Sequence, residues 1–568
     1  MDYRSNPYFL NDAQIEWVEE TKKKMTLKQK VGQLFFPLGF ESPETIDLIA
    51  ELQPGGLMFR PSPMEVVANT QEAWQDASEI PLLLAANLES GGNGLVVEGT
   101  SLGNNMTVAA TNDPGMATKL GQVCAREASA VGGNLAFAPV VDINFNHANP
   151  IANIRSFGDD PAKVLAMGKA YVKALQGNGC GVTIKHFPGD GVDDRDQHVV
   201  ASVNSLSVEE WDASFGMVYG ELIKEGALGL MAGHIMLPAY SRHFRPGIKD
   251  EELLPATLAP ELMNDLLREQ LGFNGVIFTD ATLMTGFNAV GQRKNLVPQS
   301  IAAGCDVFLF SRDWQEDFQF MLDGVENGIL TEERVDEAVS RILAMKAALN
   351  LHKKKAEGTL VPRNYDVIGN QEHQRWVAEC ADKSVTLAKD TQNLLPLSVA
   401  QHKKILFLPF TDRGSAYFGA DADDTPAGKF VKLMQQEGFE VTIWDFKENP
   451  DLNFTTISLS VAKLQEMFDL VIYFVDIQPA SNKTTLRLSY NSFVGFDAPW
   501  LVKEIPTMMI STANPYHLYD APLIKTLVNA YNSGDLQLQA VVEKLLGRSA
   551  FKGVSPVDQF AGRWDAKL

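Results

Sequence analysis

Between about residues 25 and 348, short apolar runs of strand length alternate with amphipathic stretches of helical periodicity. Each apolar run stops at a polar residue. The runs occupy 55–59, 81–89, 135–142, 182–186, 228–234, 275–280 and 306–311. Apolar residues also recur at helical spacing in 162–177 and 331–349. This alternation predicts β/α units around a parallel sheet.

Polar side chains stand at the ends of most of these runs. In a TIM-type (β/α)8 barrel, the chemistry lies where the carboxyl ends of the strands meet the βα loops. An open, doubly wound sheet would also gather its strand ends at one crevice, so the pattern favours the barrel without excluding the open sheet. The residues expected to converge are Arg60, Glu89, Asp142, Lys185, His186, His234 and Asp280.

A second unit is indicated after Leu351, where a polar, basic stretch and Pro362 are typical of an exposed linker. Further apolar runs follow it and again alternate with helical stretches. They occupy 405–410, 441–446, 470–476 and 507–512. The predicted fold class is therefore α/β. It comprises an N-terminal TIM-type (β/α)8 barrel over 1–352, a linker over 353–385 and a three-layer α/β sandwich over 386–568.

Composition and charge limit the partners and the location that we expect for this protein. Lysine and arginine total 49 against 71 acidic residues, and the net charge of −22 disfavours binding to nucleic acid and to anionic membranes. The first residues lack the pattern of an export signal and no apolar run is long enough to span a bilayer, so the expected location is cytoplasmic. The four cysteines lack C-x-x-C spacing and are expected to be buried, reduced thiols. Both a monomer and a homodimer remain compatible with the sequence.

The densest group of reactive side chains lies in 185–198, K-H-F-P-G-D-G-V-D-D-R-D-Q-H, directly after a predicted strand. Metal binding is one interpretation, but the loop lacks a fixed ligand spacing such as H-E-x-x-H. The other takes Asp196 and His198 as a dyad in which the carboxylate orients the imidazole for general acid/base work. No organic cofactor is indicated, because G-G-N-G at 91–94 lacks the G-K-[ST] ending of a phosphate-binding loop.

Asp280 ends the strongly apolar run G-V-I-F-T-D. A carboxylate in that position is compatible with a catalytic nucleophile. It is equally compatible with an N-cap, since aspartate commonly opens the helix after a strand. The residues alone leave both interpretations open.

Several motifs together resemble glycoside hydrolase family 3, in particular its β-N-acetylglucosaminidase branch. M-T-L-K-Q-K-V-G-Q-L-F at 25–35 is similar to the family's opening helix, and 149–161 resembles its sugar-binding loop. K-H-F-P-G-D-G with the D-x-H dyad resembles the acid/base segment of that branch, and V-I-F-T-D the nucleophile strand. The resemblance covers nearly the whole chain.

The resemblance implies an exo-acting, retaining β-N-acetylglucosaminidase that acts on a carbohydrate without a cofactor or metal. Asp280 would form a covalent glycosyl-enzyme, and His198 with Asp196 would be the acid/base. Other residues would contact the terminal sugar. These are Arg155, Lys185, His186, Asn87 and His234, although a core role for His234 and an ion pair of Arg155 with Asp159 or Asp160 are alternatives.

Two departures from the family pattern bear on specificity. Where the family usually has D-x-E-G-G-R, this chain reads N-L-E-S-G-G-N, so that Asn87 replaces a sugar-binding aspartate and the arginine is absent. Asp190 stands where the branch often has histidine. The alternatives are an N-acetyl-β-glucosaminide phosphorylase, a family β-glucosidase, a Schiff-base lyase on Lys185 and a catalytically silent sugar-binding protein.

Overall fold

The computed structural model describes residues 1–412, 414–415, 424–444, 459–491 and 495–568, with only the backbone described at 414–415. The chain divides into two compact units. Unit 1 comprises Met1–Ser101, Ala117–Ala152 and Asp160–Gln374. Unit 2 comprises Leu102–Met116, Asn153–Asp159 and Arg375–Leu568, so two short segments from the first part of the chain belong to the second unit.

Unit 1 is built on parallel strands that match the seven predicted runs, with one more strand before them. In the order of the chain they are β1 Phe35–Phe36, β2 Gly56–Met58, β3 Leu83–Ala86, β4 Leu135–Ala136, β5 Gly181–Phe187, β7 Gly229–Ala232, β9 Val276–Thr279 and β10 Phe308–Leu309. A separate two-residue pairing joins β6 Ser202–Val203 to β8 Ile235–Met236.

These eight strands close into a barrel. Six of them form one parallel sheet in the order β2-β3-β4-β5-β7-β9, and β1 pairs in parallel with β10. Parallel bridges from Leu38 to Met58 and from Phe278 to Val307 join the two parts into a ring. The predicted TIM-type barrel is therefore confirmed, and the open-sheet alternative is wrong.

Aromatic rings fill part of the barrel interior. Phe36, Phe137 and Phe278 pack against one another with ring centroids 5.5 to 6.0 Å apart, and each is almost completely buried. Such a packed interior leaves the ends of the strands, not a central channel, as the place where polar groups can collect.

Helices surround the barrel and connect its strands. They are α1 Asp12–Lys24, α2 Leu27–Gln33, α3 Pro43–Leu52, α4 Met64–Ala77, α6 Pro114–Ala130, α7 Pro161–Gly177, α8 Val208–Trp211, α9 Met217–Lys224, α10 Pro238–Phe244, α11 Thr285–Asn288, α12 Arg293–Ala302, α13 Trp314–Glu326, α14 Glu332–Ala348 and α15 Leu351–Ala356. The segments Asp212–Gly216 and Glu261–Gln270 have π-type hydrogen bonding. The helices predicted over 162–177 and 331–349 thus form as α7 and α14.

Unit 2 is a mixed sheet covered on both faces. Its strands are β11 Thr386–Asp390, β12 Lys404–Thr411, β13 Gly414–Ser415, β14 Glu440–Ile443, β15 Leu470–Asp476, β16 Thr507–Ser511 and β17 Thr526–Asn529. Their order is β11-β17-β16-β15-β12-β13, with β14 also paired to β12. Its helices among the described residues are α5 Asn105–Ala110, α16 Gln371–Ser384 from Arg375 onward, α17 Val399–His402, α18 Pro426–Gln436, α19 Val461–Met467 and α20 Asp535–Leu545.

Two apolar cores lie on opposite faces of this sheet. Phe407 faces Phe430 of α18 in one core, and its strand neighbour Leu406 lies with Leu464 of α19 in the other. Successive side chains of β12 therefore pack into opposite cores, one on each face of the sheet. This arrangement confirms the three-layer sandwich. The last two residues of the predicted run 441–446 lie outside the described residues.

In the described part of the chain, none of the helices has the length and apolar character needed to cross a bilayer. The cysteines Cys124, Cys180, Cys305 and Cys380 are all buried, and none of them forms a disulfide.

Candidate active site

The strand β5 delivers two basic side chains to the carboxyl end of the barrel. Neighbouring residues of a strand normally face opposite sides of the sheet. Along β5, however, Lys185 and Phe187 pair with successive residues of β7, and His186 between them is skipped. A bulge of this kind re-aims a side chain. Lys185 can therefore meet Glu89 while His186 faces Asp280.

Lys185 is held as an ion pair. Its Nζ lies 2.8 Å from Oε1 of Glu89 and 3.5 Å from Oδ1 of Asn87. The lysine is buried and Asn87 is exposed. Burying an ammonium group is costly without a charged partner, which Glu89 supplies. An ammonium in an ion pair has no lone pair with which to attack a carbonyl, so this arrangement does not favour the Schiff-base alternative.

Asp142 fixes the orientation of His186. Its Oδ2 lies 2.7 Å from Nδ1 of His186, and its Oδ1 accepts hydrogen bonds from the backbone N–H groups of His186 and Asp190 at 3.0 and 2.8 Å. Burial opposes ionisation of Asp142, but the adjacent His186 and these hydrogen bonds lower its pKa on balance. The other ring nitrogen, Nε2, consequently points towards Asp280 at 4.0 Å from its Oδ2.

Asp190 is a second buried carboxyl group beside Asp142. Its Oδ1 accepts hydrogen bonds from the backbone N–H of Gly191 at 2.7 Å and from Nδ2 of Asn149 at 2.9 Å. Its Oδ2 is buried without a hydrogen-bond partner among the described residues. Burial, and next the negative charge of Asp142, raise the pKa of Asp190 to about 7.

Asp280 lies directly after β9 and caps no helix. Helix α11 begins only at Thr285, and its N-cap residue is Met284. Asp280 Oδ1 accepts a hydrogen bond from the backbone N–H of Ala281 at 2.7 Å, whereas the buried Oδ2 has no hydrogen-bond partner in the described chain. Burial opposes ionisation, but the nearby histidines, led by His186, lower the pKa of Asp280. The site thus holds an anion with one oxygen left for another group.

The dyad residues are in direct contact. Nδ1 of His198 lies 2.6 Å from Oδ1 of Asp196, which also accepts a hydrogen bond from the backbone N–H of His198 at 2.9 Å. Asp196 is buried, and His198 is partly exposed. The carbonyl of His198 accepts a hydrogen bond from the backbone N–H of Thr285 at 3.0 Å. This bond ties the 185–198 loop to the segment that follows Asp280.

His234 contacts protein atoms through both ring nitrogens. Nε2 donates to the carbonyl of Ala281 at 3.0 Å, and Nδ1 lies 3.0 Å from Oγ1 of Thr257. Since a carbonyl only accepts, Nε2 carries the proton. Burial lowers the pKa of His234 against the opposing influence of Asp280. These contacts fix the backbone just after the Asp280 carboxylate.

Two arginines, Arg60 and Arg155, were also named from the sequence. Arg60 is exposed at the end of the segment that follows β2. Arg155 belongs to unit 2, in the 3₁₀ turn Asn153–Arg155, where its carbonyl accepts a hydrogen bond from Nδ2 of Asn105 at 2.8 Å. The N-cap of α7 is Asp160, which accepts from the backbone N–H of Ala162.

Two positioning residues were not singled out from the sequence. Gln197, between the dyad residues, accepts a hydrogen bond from the backbone N–H of His234 at 2.7 Å. Glu127 of α6 is buried and accepts from the backbone N–H and the hydroxyl of Thr100 at 2.7 and 2.6 Å, which organises the loop after Glu89. A Cβ at Gly92 would lie 2.0 Å from Oε2 of Glu127, so the loop requires glycine there. The signal in the sequence that could have identified Glu127 is a glutamate on the apolar face of a predicted helix.

Across the described parts of the chain, histidine, cysteine and carboxylate side chains do not gather in groups of three or more suited to a metal ion.

Comparison with known proteins gives this geometry a family context. Residues 26–345 match the N-terminal domain of glycosyl hydrolase family 3. A protein of Cellulomonas fimi called β-N-acetylglucosaminidase/β-glucosidase is 42% identical over 572 residues, covering 100% of both chains.

Solved structures agree over almost the whole length. The β-glucoside phosphorylase BglX superposes with a TM-score of 0.93 at 40% identity, covering 100% of this chain and 99% of its own. A family 3 β-N-acetylglucosaminidase from Paenibacillus sp. str. FPU-7 gives a TM-score of 0.76 at 25% identity, covering 95% of this chain and 100% of its own.

Proposed function

This chain is an enzyme that belongs to glycoside hydrolase family 3, and from that premise we propose that it is an exo-acting, retaining β-glycosidase for terminal N-acetylglucosamine or glucose. Asp280 is the nucleophile, and His198 with Asp196 is the acid/base. The observation that carries the proposal is the buried Asp280 carboxylate, whose Oδ2 lacks a hydrogen-bond partner among the described residues and whose pKa is lowered mainly by His186 against the effect of burial.

In the first step, Oδ2 of Asp280 attacks the anomeric carbon and forms a glycosyl ester as the bond to the leaving oxygen breaks. His198 gives its proton to that oxygen, so a neutral alcohol departs. In the second step, His198 removes a proton from water, which attacks the anomeric carbon and releases Asp280. Two displacements on one carbon leave the β configuration of the sugar unchanged.

The Asp196 carboxylate makes this exchange possible. Its hydrogen bond to Nδ1 keeps the proton on that nitrogen and leaves Nε2 of His198 to face substrate and water. A negative partner also stabilises the imidazolium form that protonates the leaving oxygen. The imidazole carries no negative charge in either form, so it does not repel the Asp280 anion.

Lys185, His186 and Asn87, all in unit 1, would bind the hydroxyl groups of the terminal sugar. The Lys185–Glu89 pair offers both a donor and an acceptor for sugar hydroxyls within one fixed unit. His234 acts differently in this proposal, since its ring nitrogens already contact Thr257 and Ala281. It positions the backbone after the nucleophile and does not itself bind the sugar.

We infer the sugar preference from the names of two relatives and from one altered position, Asn87. The Cellulomonas fimi protein carries both activities in its name, and BglX is called a β-glucoside phosphorylase. An amide at Asn87 replaces the charged acceptor of the usual family motif and weakens selection at the hydroxyl it meets. We therefore expect turnover of both β-glucosides and N-acetyl-β-glucosaminides.

A second candidate function is phosphorolysis, in which phosphate takes the place of water and accepts the sugar from the glycosyl-enzyme. The similarity to BglX over the full chain favours it. A histidine acid/base is compatible with a phosphate dianion, whereas a carboxylate in its place would repel that anion. The glycosyl-enzyme on Asp280 is common to both candidates, and only the second step differs.

Trapping with a 2-deoxy-2-fluoro-β-glycoside bearing an activated aryl leaving group tests the nucleophile. We expect a covalent adduct on the peptide that contains Asp280; an adduct on another residue contradicts the assignment. Products from the wild type in phosphate and in phosphate-free buffer then separate the acceptors. Free sugar in both buffers supports hydrolysis, and sugar 1-phosphate as the main product in phosphate supports phosphorolysis.

A further inference from the structure

Beside the dyad and the nucleophile, three apolar side chains are left in solvent. Leu283 is 48% exposed, Val199 38% and Val200 37%. We call Val199, Val200 and Leu283 the apolar rim. Val199 and Val200 follow His198 directly, and Leu283 lies three residues after Asp280.

The backbone segments that carry the two parts of the rim meet next to them. The N–H of Thr285 donates to the carbonyl of His198 at 3.0 Å. A Cβ built on Gly286 would lie 3.3 Å from the carbonyl oxygen of Val200 and 2.5 Å from that of Gln197. The segment 197–200 therefore lies directly on the segment 285–286, and Gly286 permits this close approach.

Hydrogen bonds hold the turn that carries Leu283 on both sides. The backbone N–H of Met284 donates to the carbonyl of Ala281 at 3.0 Å, which closes a turn with Leu283 near its tip. Thr282 is buried and anchored through its backbone N–H to Leu309 and through its hydroxyl to the carbonyl of Phe310. Leu283 is thus exposed on a turn whose neighbouring residues are anchored by hydrogen bonds.

Resting on the function proposed above, we infer that the apolar rim is the binding surface for the leaving group, and that the substrates are β-glycosides of apolar alcohols or phenols. His198 must reach the leaving oxygen, so the atoms bonded to that oxygen extend past His198. The apolar side chains on the same loop and on the adjoining turn are next to that path. A hydroxyl-rich sugar as leaving group would be desolvated there without hydrogen-bond partners from the rim, whereas an apolar group would cover it favourably.

A series of methyl, butyl and octyl β-glycosides tests the inference, because these alcohols have similar acidity and differ mainly in apolar size. We expect kcat/KM, measured in phosphate buffer as alcohol release, to rise along the series and to exceed that of the matching disaccharide. The β-glycosyl fluoride serves as the reference substrate, since fluoride needs no proton and occupies no space at the rim.

In Leu283→Ser and in Val199→Thr/Val200→Thr, the ratio of kcat/KM for the octyl glycoside to that for the fluoride is expected to fall about tenfold, as is typical when apolar groups are removed from a specificity pocket. Ile329→Ser is the matched control, because Ile329 is 41% exposed and lies outside the rim. It should retain the wild-type ratio.

The outcomes separate the two proposals. If the wild type turns over neither the fluoride nor any glycoside, the proposed function fails. If it turns over the fluoride but shows no dependence on alkyl length, or prefers the disaccharide, the apolar leaving-group site is refuted while the proposed function stands. Sedimentation of wild type and Leu283→Ser adds a further check, because a dimer that dissociates on this substitution would make the rim an interface between copies of the chain.

Discussion

The Asp196 carboxylate binds both the backbone N–H and the ring Nδ1 of His198, its neighbour two positions on. One oxygen, Oδ1, serves both contacts, at 2.9 and 2.6 Å. The dyad is therefore local: its geometry is set by the short D-x-H segment, and the Thr285 contact then places this segment next to the Asp280 loop.

Asp196→Asn should weaken acid catalysis while keeping the loop in place. The amide oxygen can still accept from the backbone N–H of His198, but the negative charge that stabilises the imidazolium is lost. We expect kcat/KM for alkyl glycosides to fall about 10²-fold or more, with a much smaller loss for the glycosyl fluoride, which needs no proton.

Asp194→Asn provides the control for this substitution. Asp194 lies in the same loop and is exposed, so its replacement should leave both rates near those of the wild type. Equal losses on the alkyl glycoside and the fluoride in Asp196→Asn would contradict the acid role of the dyad.

Asp280→Ala should reduce turnover of every substrate, including the fluoride, by at least about 10³-fold, because no glycosyl ester can form. Sodium azide should restore part of the activity by attacking the anomeric carbon from the vacated side, giving the α-glycosyl azide. The product's configuration is read by NMR. Asp250→Ala, on an exposed side chain in the same unit, is the control; a β-azide or an unaffected rate would refute Asp280 as nucleophile.

Much of the fold was predictable from hydrophobic periodicity. Each of the seven apolar runs in the first part of the chain contains a strand, but β1 at Phe35–Phe36 was not predicted, because it follows helix α2 after a single residue. In unit 2, β11, β13 and β17 were also not predicted. A run as short as T-L-V-N at 526–529 carries too few positions for its period to be read.

The site was predictable only in part. Strand ends identified Asp142, His186 and Asp280, which the structure brings together, because parallel strands end on one side of a barrel. The contacts of His234 and the unit to which Arg155 belongs depend on how long loops pack. No local pattern encodes that packing, since it is set by residues distant in the chain such as Thr257.

Asp190 should make stability depend on pH in a characteristic way. Its folded pKa of about 7 lies well above its ordinary value of 3.8, so the folded state favours the protonated carboxyl group. Its stabilising contribution is fully present below the unfolded pKa and is lost as pH rises towards the folded pKa. Each pKa unit corresponds to about 1.4 kcal/mol.

Asp190→Asn removes this titration. Relative to the wild type, the variant's free energy of unfolding should increase as pH rises from about 4 to about 7 and level off above that range. Urea unfolding across this range measures it, with Asp194→Asn as the control. Asp142 has a lowered pKa and titrates below this window. A difference between wild type and variant that does not change with pH would refute the raised pKa.

Asp306, two residues before β10, is a fully buried carboxylate that lies close to three arginines. Its carboxylate lies 2.6 Å from Nη2 of Arg268, 2.7 Å from Nη2 of Arg334 and 3.8 Å from Nη1 of Arg341. Burial opposes its ionisation, but the three cations, led by Arg268, lower its pKa on balance. Removing one partner of a buried ion pair leaves uncompensated charge.

Asp306→Asn should therefore lower the free energy of unfolding by about 3–5 kcal/mol near neutral pH. Because the folded pKa is lowered, this stabilisation is present above the unfolded pKa and is lost as pH falls through the folded pKa, so the difference from wild type should shrink in acid. Asp336→Asn, which breaks a partly exposed pair with Lys30, should cost no more than about 1 kcal/mol. Urea unfolding of both variants measures these losses. If the two substitutions lowered the free energy of unfolding equally, burial of Asp306 would not explain how much its ion pairs stabilise the fold.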